Sequence, residues 1–155
     1  MIKIKIFNPL AGKNRISFQG FVAMKDMLRD YSIELTESDN FDYAFLGADD
    51  ILNKSIGLQE SIEYGLANID KYARGGDCFI FDGSDSTSLM GSYEVLEQSD
   101  AKFLFKNQIL KNREDYKEKT SFNKWFFGNG SDLDLGYDIP KENWDTIKLS
   151  GWNLG

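Results

Sequence analysis

A chain of 155 residues, 41% hydrophobic and 14% aromatic, has the size of one domain and buries enough surface to fold without a disulfide or a structural metal. Its net charge of −7 repels phosphate backbones and anionic bilayers, which argues against nucleic acid or a membrane surface as the main partner. It has no histidine, so serine–histidine and cysteine–histidine catalysis and histidine-based metal sites are excluded, and any general acid or base must be Asp, Glu, Lys, Tyr or Cys.

Residues 2–7 alternate Ile and Lys and predict a first strand. The two lysines suggest a strand face less covered than that of a central strand. No unbroken apolar core follows Met1, so no signal peptide is read, and no stretch approaches the ~20 apolar residues of a membrane span. Asn8 to Arg15 is a loop broken by Pro9 and Gly12. A helix is expected from Ser17, as N-cap, to about Asp30, with Phe18, Phe21, Val22, Leu28 and Tyr31 at helical spacing.

Short strands follow at 32–36 and from Phe41 to Leu46, the latter ended by Gly47. A long helix spans about Ser55 to Arg74, its stripe formed by Leu58, Ile62, Leu66, Ile69 and Ala73 and its end marked by Gly75-Gly76. Cys78 to Phe81 is apolar throughout, as in a strand covered on both faces. Cys78, the only cysteine, is read as a buried strand residue rather than a nucleophile, and the lack of any disulfide framework fits a reducing, cytoplasmic setting. The loop from Asp82 to Thr87 feeds a helix from Ser88 to Gln98, a fifth strand at 102–105, a polar helix near Asn112 to Lys119, an aromatic and glycine-rich stretch from Ser121, and a last strand at Ile147 to Leu149.

This order predicts an α/β fold, a Rossmann-like three-layer α/β/α sandwich with a mostly parallel sheet of five or six strands. One step resists it. Only Glu37 to Asn40 separate the second and third strands, whereas a parallel crossover normally takes about a dozen residues. That gap suggests an irregular strand or an antiparallel pair.

Ligands of open α/β sheets sit beyond the C-terminal strand ends. Here those ends carry Asn8 to Arg15, Gly47 to Asp50, Asp82 to Thr87, and Lys106-Asn107. In the first loop, Asn8, Gly12, Lys13 and Arg15 beside a helix start make a generic anion site. It is neither a Walker A loop, since Phe7 and Asn14 stand where Gly and Ser or Thr belong, nor a dinucleotide fingerprint, since the glycine triplet is missing. In the second loop the paired carboxylates Asp49 and Asp50 could hold a metal or a sugar hydroxyl, Asp49 being the ligand candidate, against the alternative of helix-start acids favoured by the dipole.

The third loop gathers two acids and three hydroxyls at the end of the central strand. Capping the next helix needs only one such residue, so Asp82 and Asp85 become candidate catalytic carboxylates, Asp82 aimed into the crevice and Ser84 a ligand group. Asp132-Leu133-Asp134 matches the Asp-x-Asp of metal-dependent glycosyltransferases but follows no clear strand, and no metal site is read. Phe122, Trp125, Phe126 and Phe127 read as cover for the sheet edge rather than as a stacking platform, and Trp144 and Trp152 pose the same choice.

The run Asp82-Gly83-Ser84-Asp85-Ser86-Thr87, with Gly91, Ser99-Asp100-Ala101, Lys106, Asn107, Arg113 and Tyr116, resembles the N-terminal domain of GT-B-type glycosyltransferase-like proteins over about residues 78–130. The resemblance implies the acceptor-side half of an enzyme that transfers a sugar from a nucleotide-sugar donor. It implies no resident metal or other cofactor, a lysine presented from the fifth strand (Lys106), and a second Rossmann-like domain after this one, with the single domain 1–155 as the N-terminal half of a longer protein. Two other readings of the same loops stay open: a non-catalytic flavodoxin-like binding module, and a nucleoside- or nucleotide-processing enzyme of similar topology.

Overall fold

Alternation of side chains along each strand sorts the apolar residues to two faces, and the fold follows from covering both. The structure is a computed structural model describing residues 1–12, 14–73, 76–83, 89, 91–109, 112–117 and 139–150. Its strands are β1 Ile2–Ile6, β2 Ile33–Leu35, β3 Tyr43–Gly47, β4 Asp77–Asp82, β5 Phe103–Lys106 and β6 Ile147–Leu149. They form one sheet in the order β2-β1-β3-β4-β5-β6, and each of the five pairings is parallel. This is a Rossmann-like α/β fold.

The helices are α1 Asn14–Ala23, α2 Lys25–Asp30, α3 Ala48–Ile51, α4 Leu58–Tyr72 and α5 Ser92–Glu97. The single helix expected to end at Asp30 is two, broken at Met24, and Ser17 lies inside α1 rather than capping it. Gly91, with φ +84°, starts α5 four residues later than the sequence pattern suggested, and its N–H is held by Glu94 Oε2 at 2.6 Å. The polar helix expected near Asn112 is a 3-10 turn, Arg113–Tyr116, whose Tyr116 is fully buried against Trp144. Trp144 is therefore a core residue, whereas Trp152, the aromatic run 122–127 and Asp132–Asp134 lie outside the described residues.

One apolar cluster joins Ala44, Leu46, Cys78, Ile80 and Leu104 to Ile51, Ile62, Ile69, Val95 and Leu96 of α3, α4 and α5. The other joins Ile4, Ile6 and Phe81 to Phe18 of α1, with Phe45, Phe79 and Phe105 packed at its margin. The adjacent β4 residues Ile80 and Phe81 thus belong to different clusters, as a strand covered on both faces requires. Each such fully buried side chain contributes about 1.5–3 kcal/mol. Three members of the predicted α4 stripe, Leu58, Leu66 and Ala73, are only partly buried, while Ile62 and Ile69 are core.

The short step between β2 and β3 has a geometric explanation. The two strands do not pair; β1 lies between them. Leu35, at the end of β2, and Tyr43, at the start of β3, are both registered to Ile4 of β1. The chain need not travel back along the sheet, only sideways by about 10 Å, two strand spacings, and residues 36–42 reach that with no helix. The antiparallel expectation fails because it assumed unstaggered strands. The connection also covers one of the β1 lysines: Lys5 pairs with Asp39 at 2.6 Å and lies 5.1 Å from the ring centre of Phe7.

Candidate functional site

The C-terminal ends of β1, β3, β4 and β5 lie side by side, and the polar groups there form two knots. The first is centred on Asp50, on the short turn of helix after β3. Asn8 Nδ2 donates to its Oδ1 at 2.5 Å, while Asn14 Nδ2 and the Gly47 N–H donate to Oδ2 at 2.7 and 3.1 Å. The last bond is an acid in the first turn of a helix reaching back to an orphan backbone donor. Asn14 Oδ1 in turn accepts from the Asp49 N–H at 3.0 Å. Asn14 and Asp50 are buried, so α1, β1 and α3 are tied together by side chains that neither loop shows alone. Burial raises the Asp50 carboxyl above its ordinary value; the donors from Asn8, Gly47 and Asn14 oppose this, and the Asp49 charge adds to it.

Gly12, at φ +45°, brings the first loop so close to the Asp49 carboxylate that any Cβ there would overlap it. Asn8 and Asp49 are therefore brought together with Gly12 around one loop crossing. Arg15 is exposed on α1, and Lys13 lies outside the described residues.

The second knot is centred on Asp82. Lys106 Nζ donates to its Oδ2 at 2.8 Å, and Ser92 Oγ shares that oxygen at 3.1 Å. All three residues are buried, Asp82 at 1% exposure and Lys106 at 0%. The expectation that Asp82 points into an open crevice is corrected here. Registered opposite Lys106 across the β4–β5 pair, the carboxylate turns into the interior toward a cation, because an isolated buried charge is far costlier than a paired one. Ser84 and Asp85, the other residues of that loop singled out above, lie outside the described residues.

Beside this pair a chain of smaller contacts runs across the sheet end. Asn107 Nδ2 donates to the Gly83 carbonyl at 3.1 Å, and Ser150 Oγ donates to Asn107 Oδ1 at 2.6 Å. A Cβ on Gly83 would stand 2.5 Å from Ser17 Oγ, so α1 and the β4 loop touch. The rim presents amides, hydroxyls and carboxylates, with Arg15 the described cation at its margin. Among the described residues no group of three Cys, Asp or Glu side chains is placed to hold a metal ion, and no helix is long and apolar enough to cross a membrane.

Sequence reasoning found the strand-end positions but missed Asn14, Ser17, Asp50, Ser92, Gly83 and Ser150 as structural partners. Asp50 alone carried a signal, an acid three residues after the glycine that ends a strand. Asn14 and Ser92 sit on helices, where nothing in their neighbours marks them. Comparison of the chain with models of known protein families, with curated proteins and with solved structures finds no match.

Proposed function

We propose that the chain is the acceptor-side half of a GT-B-type glycosyltransferase-like protein, working in the cytoplasm on a nucleotide sugar or its sugar acceptor. The observation that supports this best is the convergence of Asn8, Asp49, Gly83, Asn107 and Ser150 at one sheet end. A rim of amides, hydroxyls and carboxylates suits a ligand rich in hydroxyl groups, which both donate and accept. Arg15, in the first turn of α1, and Lys13, which precedes that helix in sequence, would meet a phosphate of the donor.

Within this reading Asp82 is not the base. Its carboxylate is committed to Lys106 and Ser92, which leaves Asp85, with Ser84, as the residues this reading assigns to the acceptor hydroxyl. A carboxylate within hydrogen-bond reach of that hydroxyl takes its proton as the bond to the donor carbon forms.

The test is calorimetric titration of the full chain with UDP-glucose, GDP-mannose and free hexoses. Binding of at least one, weakened tenfold or more by Asn107→Ala with the fold intact, is the expected result. The flavodoxin-like binding module has one observation in its favour: the order β2-β1-β3-β4-β5 is that of flavodoxin, with its switch point between β1 and β3. Binding of flavin mononucleotide in place of any sugar ligand would decide for it.

A further inference from the structure

The helix-free crossing of β1 leaves space that a crossover helix would otherwise fill. Side chains line there a half-open cavity of about 450 Å³: Phe7, Asp39, Phe41, Lys71 and Tyr72. The volume is in the range of small-molecule sites, ~300–1,000 Å³, and none of these residues belongs to the polar rim. Phe7 and Tyr72 lie 4.6 Å apart between ring centres, and Phe41 meets Phe7 edge-on at 6.2 Å. Packed together, these rings make an aromatic wall against which a flat ligand can lie.

The charges are as specific as the rings. Lys5 Nζ lies 5.1 Å from the centre of Phe7 and 5.8 Å from that of Phe41, and Lys71 Nζ lies 4.8 Å from that of Tyr72. The Lys5 side chain is only 14% exposed, whereas Asp39, its partner at 2.6 Å, is 98% exposed. An ion pair with one fully wet member is weak and screened by salt. The lysine is held by the rings and strand while the carboxylate can be displaced. One lysine, Lys71, and one aspartate, Asp39, line the cavity, and Lys5 stands behind them against Asp39 and the rings of Phe7 and Phe41, in a chain whose net charge is −7.

We propose that this cavity binds a small planar aromatic molecule bearing one anionic group, its ring among Phe7, Phe41 and Tyr72 and its anion replacing Asp39 on Lys5. The site is separate from the sugar-ligand rim and stands whether or not that rim binds a nucleotide sugar.

Titration of the 15N-labelled full chain with adenosine 5′-monophosphate and with indole-3-acetate tests it, as phosphate-bearing and carboxylate-bearing probes. Adenosine and indole-3-methanol serve as their neutral counterparts. Saturable shifts at the Phe7, Phe41 and Tyr72 amides are expected, with at least one anion binding tenfold or more tighter than its neutral counterpart; whichever anion is tighter identifies the group as phosphate or carboxylate. Asp39→Asn should bind that anion at least as tightly as the wild type, and Lys5→Gln should lose the preference for it. Because a β1 substitution can disturb the sheet, Tyr72→Leu at the end of α4 is the second variant and should weaken both anionic and neutral probes. No saturable shift with either anion, equal affinity for charged and neutral probes, or shifts confined to Asn8 and Asn107 of the rim would overturn the proposal.

Discussion

Two buried aspartates stand at neighbouring strand ends and are stabilised in different ways. Asp82, at the end of β4, faces the ammonium of Lys106 and the hydroxyl of Ser92. Asp50, one turn beyond β3, is surrounded by neutral N–H donors from Asn8, Asn14 and Gly47. Burial alone disfavours the charged form of either. A cation at hydrogen-bond distance answers that cost with a charge, whereas amides answer it with dipoles, and at Asp50 they do so incompletely, since its carboxyl stays above its ordinary value. The first arrangement makes a rigid anchor between two strands; the second makes a loop junction whose protonation couples to folding.

The largest effect should come from breaking the charged pair. Lys106→Met removes the cation from a carboxylate that is 1% exposed and should cost about 3–5 kcal/mol in urea unfolding. The double variant Asp82→Leu with Lys106→Met should recover most of that loss, since an apolar pair leaves no buried charge. A double variant as unstable as the single would show that the two residues do not act as a unit.

Asp50→Asn tests the other side of the comparison. Three donors converge on this carboxylate, and an amide replaces one accepting oxygen with a donating NH₂, so one N–H loses its partner. The expected cost is about 1–3 kcal/mol, smaller than at Lys106.

The pH dependence sharpens the contrast. With its folded value raised above the ordinary 3.8, Asp50 contributes stability that is fully present below 3.8 and is lost as pH rises through its higher folded value. Carboxyl 13C titration should place the Asp50 midpoint above 3.8, and the slope of stability with pH between 3.8 and that midpoint should change in Asp50→Asn. A midpoint at or below 3.8 would mean that the donors outweigh burial.

Two smaller effects mark the limits of the comparison. Burial lifts the Cys78 thiol to about 12 with no partner to oppose it, so the thiol should react with Ellman's reagent only as fast as the chain unfolds. At the opposite extreme, Asp39→Asn removes a carboxylate that is 98% exposed, and thermal melting of the ligand-free chain should shift by no more than a degree or so, as for most surface ion pairs.

How much of this was legible in the sequence varies with range. The alternation Ile2, Ile4, Ile6 and the apolar run Cys78 to Phe81 are local patterns, and they correctly indicated strands, their covered faces and polar loops at their C-terminal ends. Helix ends were less legible: Met24 splits one helix without any Gly or Pro to mark the break, and Gly91, where a Cβ would meet Leu52, delays another.

The sequence by itself determined that this is an α/β chain with loaded strand ends, because periods of two and of 3.6 residues are set by backbone geometry within a few residues. Only the tertiary structure decided that β1 separates β2 from β3, that Asp82 turns inward to Lys106, and that Asp50 gathers Asn8 and Asn14. Those partners lie 24, 42 and 36 residues from their acids. No local preference selects among such distant groups; the register of the strands and the cost of an unpaired buried charge do.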